Sequence, residues 1–268
     1  MARNPWLSKK HKLSIVVPVF NEAAALISNL DLLLDEVEAY FPNFEVIVVS
    51  DGSTDGTNAK LLSIRHPDVK PIVLEKNAGK GNAVRAGFQR ATGDYVLFID
   101  GGMEIHPKEI RIFMGLMSLY ECDIVVGSKR HPQSKVVYPW YRRSLSWLFQ
   151  HFIRMLFQVD VTDTQVGIKL FRREVIDAIL PHLELNRYGF DLEVLSLAKM
   201  FGFGDVLEAP IRLDYFATGG RQVGRELFHV FKVGFSLIKD TLQLYARLRK
   251  IDPKASHPTH ESTRKRAV

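Results

Sequence analysis

Apolar positions in the first hundred residues fall into short strand-like runs with helical periodicity between them. Leu13 to Val17 is the first run, ended by Pro18. After Asn21-Glu22, residues Leu26, Leu30, Leu34 and Val37 recur at helical spacing and predict an amphipathic helix. Glu45 to Val49 reads as a second strand, followed by the turn-rich Asp51-Gly-Ser-Thr-Asp55-Gly56 and a helix to about Ile64. Pro71 to Leu74 is a third strand, and Gly79-Lys80-Gly81-Asn82 opens a helix to about Arg90. Tyr95 to Ile99 then forms an unbroken apolar and aromatic run, the pattern of a strand buried on both faces. Strands alternating with helices at this spacing predict βαβ units, hence an α/β fold around a mostly parallel sheet.

The last of these strands ends in Asp100-Gly101-Gly102-Met103-Glu104, and Pro107 opens the next helix. In open α/β sheets ligands collect beyond the carboxyl ends of strands. Two carboxylates on a glycine-loosened turn suit a divalent cation that itself holds phosphates. Taken alone, Asp100 favours the plainer reading of a turn whose acid helps to cap a helix. The loops exclude two common nucleotide folds. After the first strand the chain reads Pro18-Val-Phe-Asn-Glu22, without the glycines of a dinucleotide fingerprint, and the Gly79/Gly81 loop is not a P-loop.

Composition adds little beyond a soluble globular class: 268 residues, 46% hydrophobic and 25% charged. The single cysteine, Cys122, cannot form an intramolecular disulfide and fits a reducing compartment. No uncharged run reaches the roughly 18 residues of a membrane span. Lys9, Lys10 and Lys12 lead directly into the first strand, so no signal peptide is expected. The net charge of +6 sits in the tails, and the body between is formally neutral. Within that body Lys129, Arg130, Lys135, Arg142 and Arg143 make a basic run without an acid, a pattern that favours anions.

Taken together, Val17-Pro-Val-Phe-Asn-Glu22, Val49-Ser-Asp-Gly-Ser-Thr-Asp-Gly56, Asn77-Ala-Gly-Lys-Gly-Asn-Ala83 and the Asp100 turn resemble the successive signatures of family 2 glycosyltransferases of the GT-A fold. Val126-Gly-Ser-Lys-Arg130, Asp163-Thr-Gln-Val-Gly-Ile-Lys-Leu-Phe-Arg172 and Phe190-Asp-Leu-Glu193 resemble the branch that makes dolichyl-phosphate mannose and glucose. The resemblance covers roughly residues 13–215 in order and spacing.

The resemblance implies a nucleotide-sugar donor, UDP-glucose or GDP-mannose, and a polyprenyl or dolichyl phosphate acceptor, with no nucleic acid partner. It places Pro18, Val19, Asn21, Glu22, Asp51, Lys80, Asp100 and Gly101 around the nucleotide sugar. Asp100, Asp163 and Gln165 become the candidate catalytic residues, and Lys129, Arg130, Arg142 and Arg143 the site for the acceptor's phosphate. Asp100 corresponds to the first acid of the family's metal-binding D-x-D, whose second acid is Gly102 here. Glu104 is the expected substitute, so Mg2+ or Mn2+ would rest on Asp100 and Glu104, held more weakly than by a complete motif. The chemistry implied is one inverting displacement at the anomeric carbon. Two alternatives stay open: the same fold acting on a glycan or other soluble acceptor, and a non-catalytic sugar-nucleotide-binding protein.

Two further segments bear on a membrane. Leu145, Leu148, Phe149, Phe152, Ile153 and Leu156 form an apolar stripe on a helix expected over 145–157. Phe228, Phe231, Phe235, Ile238, Leu242 and Tyr245 form a second, within the basic segment 221–250. Such a helix can lie in a membrane interface or pack on the sheet. The expected organisation is a basic segment 1–12, a GT-A domain 13–220, an amphipathic helical segment 221–250 and a disordered basic tail 251–268. This places the protein at the cytoplasmic face of a membrane, peripherally bound.

Overall fold

The computed structural model describes residues 11–136, 157, 161–187, 189–213, 238 and 240–249. Strands β1 (Leu13–Val19), β2 (Phe44–Asp51), β3 (Val69–Leu74), β4 (Tyr95–Ile99), β5 (Ile124–Ser128), β7 (Ile168–Arg172) and β8 (Val206–Pro210) form one sheet in the order β3-β2-β1-β4-β7-β5-β8. All neighbours are parallel except β7, which runs antiparallel between β4 and β5. Short β6 (Lys135–Val136) and β9 (Arg212–Leu213) pair separately, and Ile105 bridges Leu213, pinning the turn after β4. The expected α/β, GT-A-like sheet is therefore present, mostly parallel and flanked by helices.

Alternation along each strand sorts side chains onto two faces. Ile15, Val17, Val46, Val48, Leu97 and Ile99 share one core with α1 (Leu26–Tyr40), α2 (Thr57–Ser63) and α4 (Glu109–Tyr120). Val16, Ile47, Val49, Val96 and Phe98 share the other with α3 (Lys80–Arg90), α5 (Arg173–Ile179) and α6 (Phe190–Met200). The stripe read from sequence on α1 is the buried one: Leu26, Leu30, Leu34 and Val37, joined by Leu33. Both faces are covered, which is why the strands read as continuous apolar runs.

Two prolines sit inside strands rather than at their ends. β1 passes through Pro18, which stands in register with Val49. The Pro18 carbonyl accepts from the Gly101 amide at 3.3 Å, so its nitrogen points to the same side. The proline leaves the β1–β4 ladder one donor short, and regular pairing of the two strands ends at Val16–Phe98, while β1 keeps its pairing to β2 on the other edge through Val19. The expected break at Pro18 is thus a strand that continues two residues toward the ligand edge. Pro71 lies in β3, the sheet's edge strand, where a missing donor is tolerated.

At the opposite end of the sheet, the buried Glu45 ties three strands together. One carboxylate oxygen accepts from the Ser14 hydroxyl at 2.6 Å and from the Thr92 amide and hydroxyl at 2.7 and 2.8 Å. The other faces the ammonium groups of Lys12, at 3.1 Å, and Lys70. Burial lifts the Glu45 carboxyl, but Lys70, Ser14 and Thr92 outweigh it and hold its pKa down at about 2. A depressed folded-state pKa means the unfolded chain binds the extra proton between roughly pH 4.5 and 2. The stability Glu45 contributes is therefore complete above about pH 5 and drains away as pH falls through that window. We expect Glu45→Gln to cost on the order of 1–3 kcal/mol at pH 7. Urea unfolding should show the gap to the parent narrowing as pH is lowered from 4.5 toward 2; a gap independent of pH would refute the assignment.

Candidate active site

Asp51, the last residue of β2, is buried, and both its carboxylate oxygens accept backbone amides: Ala78 at 3.1 Å and Gly79 at 2.7 Å. This draws the loop before α3 onto the sheet's carboxyl edge. Gly79 has φ +113°, and a side chain there would strike the Asn186 carbonyl at 2.5 Å, so only glycine makes this turn. Lys80 follows immediately as the first residue of α3.

The loop after β1 is locked to the loop after β2. Asn21, itself left-handed with φ 54°, accepts the Thr54 amide at 2.8 Å and donates its own amide to the Ser53 hydroxyl at 3.0 Å. Glu22 and Ala23 amides donate to Thr57 Oγ1 and Asp55 Oδ2 at 2.9 and 3.0 Å. Burial, then the neighbouring Asp55 and Glu104, push the Glu22 carboxyl above its ordinary value. Val19 and Pro18 face Gly101, where any Cβ would lie 2.5 Å from Val19 Cγ1. Pro18, Val19, Asn21, Glu22, Asp51 and Gly101 therefore converge on one edge of the sheet.

The electrostatic centre is a chain of four charges. Lys80 Nζ lies 2.7 Å from Asp100 Oδ1 and 4.0 Å from Asp191 Oδ2, while Lys169 Nζ lies 2.5 Å from Asp191 Oδ1. Lys169 also donates to the Val166 carbonyl at 2.8 Å. Both ammonium groups stand over the Phe98 ring, at 5.1 and 4.9 Å from its centroid. Burial draws the Lys80 pKa down, but Asp100 and Asp191 overcome this and hold it above its ordinary value. At the fully buried Lys169 the balance reverses, and burial keeps the pKa low despite Asp191. Asp191, penalised by burial, is nonetheless held ionised by Lys169 and Lys80.

Asp191 and Lys169 were not singled out as site residues in the sequence. The available signal was a lysine in the apolar strand Ile168-Lys169-Leu170-Phe171, since a buried lysine demands a carboxylate. Gly167 leaves no spare room beside them. A Cβ there would stand 2.0 Å from Asp100 Oδ2, and the Gly167 carbonyl accepts the Asp100 amide at 2.9 Å.

A second cluster adjoins the first. Lys129 Nζ, just past β5, lies 3.3 Å from Oδ2 of the buried Asp163, and its charge also acts on Asp191. Asp163 Oδ1 accepts the Gln165 amide at 3.2 Å. The side-chain nitrogen of Gln165 is buried and has no hydrogen-bond partner among the described residues. Arg130 follows Lys129 on the same turn, its amide donating to Ser128 Oγ at 3.2 Å. Arg142 and Arg143 lie outside the described residues, as do the expected helix 145–157 except Phe157, and the tail 251–268. Glu104 is exposed on the turn after Asp100, where its charge acts on both Lys80 and Glu22.

Comparison with known proteins gives the family. The family profile "Glycosyl transferase family 2" matches residues 14–180, more than half of the chain. The chain belongs to glycosyl transferase family 2. Among relatives of this glycosyltransferase, a dolichyl-phosphate beta-glucosyltransferase of Drosophila melanogaster is 38% identical over 205 residues, spanning 70% of this chain and 63% of the relative. The Homo sapiens protein of the same name is 31% identical over 216 residues, spanning 73% and 65%. The chain thus spans just under two thirds of the length of these relatives. A solved structure, glucosyl-3-phosphoglycerate synthase from Mycobacterium tuberculosis with Mn2+, UDP-glucose and phosphoglyceric acid, superposes with TM-score 0.67 at 19% identity, covering 88% of this chain and 80% of that one. That likeness establishes the shared fold.

The contact between Gly167 and Asp100 can be tested directly. Gly167→Ala should cost about 1–3 kcal/mol in urea unfolding, the range for overpacking a filled site. In an Asp100→Ala background most of that cost should vanish, because the colliding carboxylate is gone. Equal costs in both backgrounds would show that Asp100 is not the atom group in the way.

Proposed function

We propose that this glycosyltransferase transfers glucose from UDP-glucose to a polyprenyl phosphate, with inversion at the anomeric carbon. The observation that carries the reading is the acid at the tip of β4, Asp100, set against Lys80 beside the loops of Asp51 and Glu22, with Lys129 and Asp163 adjoining. Identity to dolichyl-phosphate beta-glucosyltransferases supports glucose and a lipid phosphate over mannose or a glycan.

The reaction needs charge on the departing diphosphate to be stabilised and a nucleophile held in line. An acceptor phosphate is already ionised near neutral pH, so its oxygen attacks the anomeric carbon without a protein base. The bond from that carbon to the β-phosphate oxygen breaks, and UDP leaves with the electron pair. In this reading Asp51 fixes the 77–80 loop at the nucleotide, and Lys80 supplies positive charge at the diphosphate. Lys129 and Arg130, with Arg142 and Arg143, hold the acceptor phosphate. Gln165 offers its unspent amide donor to an oxygen of the bound sugar or phosphate, which relieves a buried unsatisfied group.

The residues also fit a divalent cation that arrives with the nucleotide. No three His, Cys, Asp or Glu side chains form a ligand group among the described residues. Asp100 and Glu104 offer two carboxylates, and Mg2+ or Mn2+ bound by one or two carboxylates takes its other ligands from substrate phosphates and water. Such an ion would supply Lewis-acid stabilisation of the leaving diphosphate. Space for a fuller set exists: a Cβ on Gly102 would meet nothing within 4 Å. Gly102→Asp should therefore fold normally and lower the Mn2+ concentration for half-maximal turnover by about tenfold, on the order of one charged contact. An unchanged metal requirement would remove position 102 from the cation's surroundings.

Action at a membrane surface, on its cytoplasmic face, is part of the same proposal. No described helix is long and apolar enough to cross a membrane. In the helical residues 240–248, Thr241 and Leu244 are buried, while Leu242 and the preceding Ile238 remain exposed. Of the expected stripe's described members, Ile238 and Leu242 face outward while Tyr245 packs edge-on against Phe157. The two outward residues support an apolar surface in the segment 221–250 beyond the 13–220 transferase domain.

A donor panel with a short polyprenyl phosphate, read by mass spectrometry, tests the assignment. UDP-glucose should yield a polyprenyl-phosphate hexose, and Gln165→Leu should lower kcat/KM by about 10–100-fold with stability unchanged or raised. Turnover on a soluble glycan without lipid phosphate would replace the acceptor assignment. Nucleotide binding without turnover on any acceptor would favour the non-catalytic reading.

A further inference from the structure

The Asp100 carboxylate already has a cation. Lys80 Nζ stands 2.7 Å from its Oδ1, on the acid that would otherwise be the main ligand for a divalent ion. The same ammonium has a second carboxylate at hand, since Asp191 Oδ2 is 4.0 Å away. The other Asp191 oxygen is held at 2.5 Å by Lys169, whose side chain is fully buried. Asp191 is therefore immobile: α6 carries its backbone, Lys169 fixes its carboxylate, and Phe98 lies beneath both ammonium groups. Lys80 differs from Lys169 in being one-third exposed on the first turn of α3, with an unbranched stem free to pivot.

We propose that Lys80 is the resident counter-ion of Asp100 and competes with a divalent cation for it. In this arrangement Asp191 is the positioning residue that receives Lys80 when it leaves Asp100. The inference rests on the metal reading of Asp100 given above and adds a residue that sets the metal's affinity. A unit positive charge in contact with the ligand oxygen opposes a divalent ion at that oxygen through direct repulsion and through occupancy of its lone pairs. To settle on Asp191, Lys80 must close a 4.0 Å gap to hydrogen-bond distance, about 2.9 Å, which side-chain rotation supplies. The consequence is a site that is poor for free metal and good for metal with nucleotide, because the diphosphate offers the displaced ammonium a further anionic partner. Gly102 accentuates this, since the second acid that would strengthen metal binding is missing.

The test is Mn2+ binding to the full chain without nucleotide, followed by the electron paramagnetic resonance signal of free Mn2+. Lys80→Met should tighten Mn2+ binding by about tenfold or more over the parent. Lys80→Arg, which keeps the charge, should bind as weakly as the parent, and thermal unfolding should show all three folded. Equal Mn2+ affinity in the parent and Lys80→Met, with binding present, would overturn the inference while leaving the metal reading intact. Tightening seen only when UDP is added would also overturn it, because the lysine would then act through the nucleotide. Absence of Mn2+ binding in every variant, with and without UDP, would overturn the metal reading and this inference with it.

Discussion

The ion pair between Lys169 and Asp191 is the constraint from which the rest of the site follows. Neither side chain reaches bulk water, and breaking one partner of such a pair costs about 3–5 kcal/mol because the other is left charged and buried. The pair therefore favours the fold that brings the start of β7 to the first turn of α6. That constraint fixes a carboxylate beside the tip of β4, and Lys80 is drawn to the same place from α3. A reversed strand does this well. β7 runs antiparallel between β4 and β5, so the chain enters it from the ligand edge, and Asp163, Gln165 and Gly167 lie on that approach.

Much of this was legible in the sequence, for a physical reason. Parallel strands buried on both faces must be apolar throughout, so β1, β2 and β4 show as apolar runs and α1 as one stripe. The exposed edge strand β3 and the helices α2 to α4 were marked by the turn, glycine and proline signals beside them. The acids at strand ends are conspicuous because they interrupt apolar runs, which made Asp51 and Asp100 visible. Lys169 and Asp191 were harder to read. Each sits inside an apolar stretch whose periodicity says only that the position is buried, and nothing local pairs a lysine on one element with an aspartate 22 residues later. Pro18 misled in the opposite sense. Proline ends strands as a rule, but here its missing donor faces β4, and pairing to β2 on the other edge carries β1 on through Val19.

Gly102 shows how a motif and a structure can speak to different questions. As sequence, it is a lost ligand. In the fold it is an open position that neither backbone geometry nor packing requires to be glycine, unlike Gly79 and Gly167. The turn itself therefore does not account for the absent carboxylate, and the charge beside Asp100 comes from Lys80 at 2.7 Å.

α6 connects this centre to the end of the described chain. Its first turn holds two buried acids, Asp191 and Glu193, and residues two apart on a helix point in nearly opposite directions. Asp191 faces the two lysines of the site. Glu193 faces away, accepting the amides of Glu184 and Leu185 at 3.0 and 2.9 Å and pairing with the Arg247 guanidinium, which also reaches Glu184 at 2.9 Å. The 182–187 loop held in this way touches α3, because the Asn186 carbonyl accepts the Asn82 amide at 3.2 Å and its side chain accepts from Arg85 at 2.8 Å. Acids at a helix N-terminus are favoured by the helix dipole, which adds to the two ammonium groups that hold Asp191 ionised. One helical turn thereby ties the Lys169–Asp191 pair on one side to Arg247 of the helix at 240–248 on the other, so the charge centre and the placement of that helix share a single structural support.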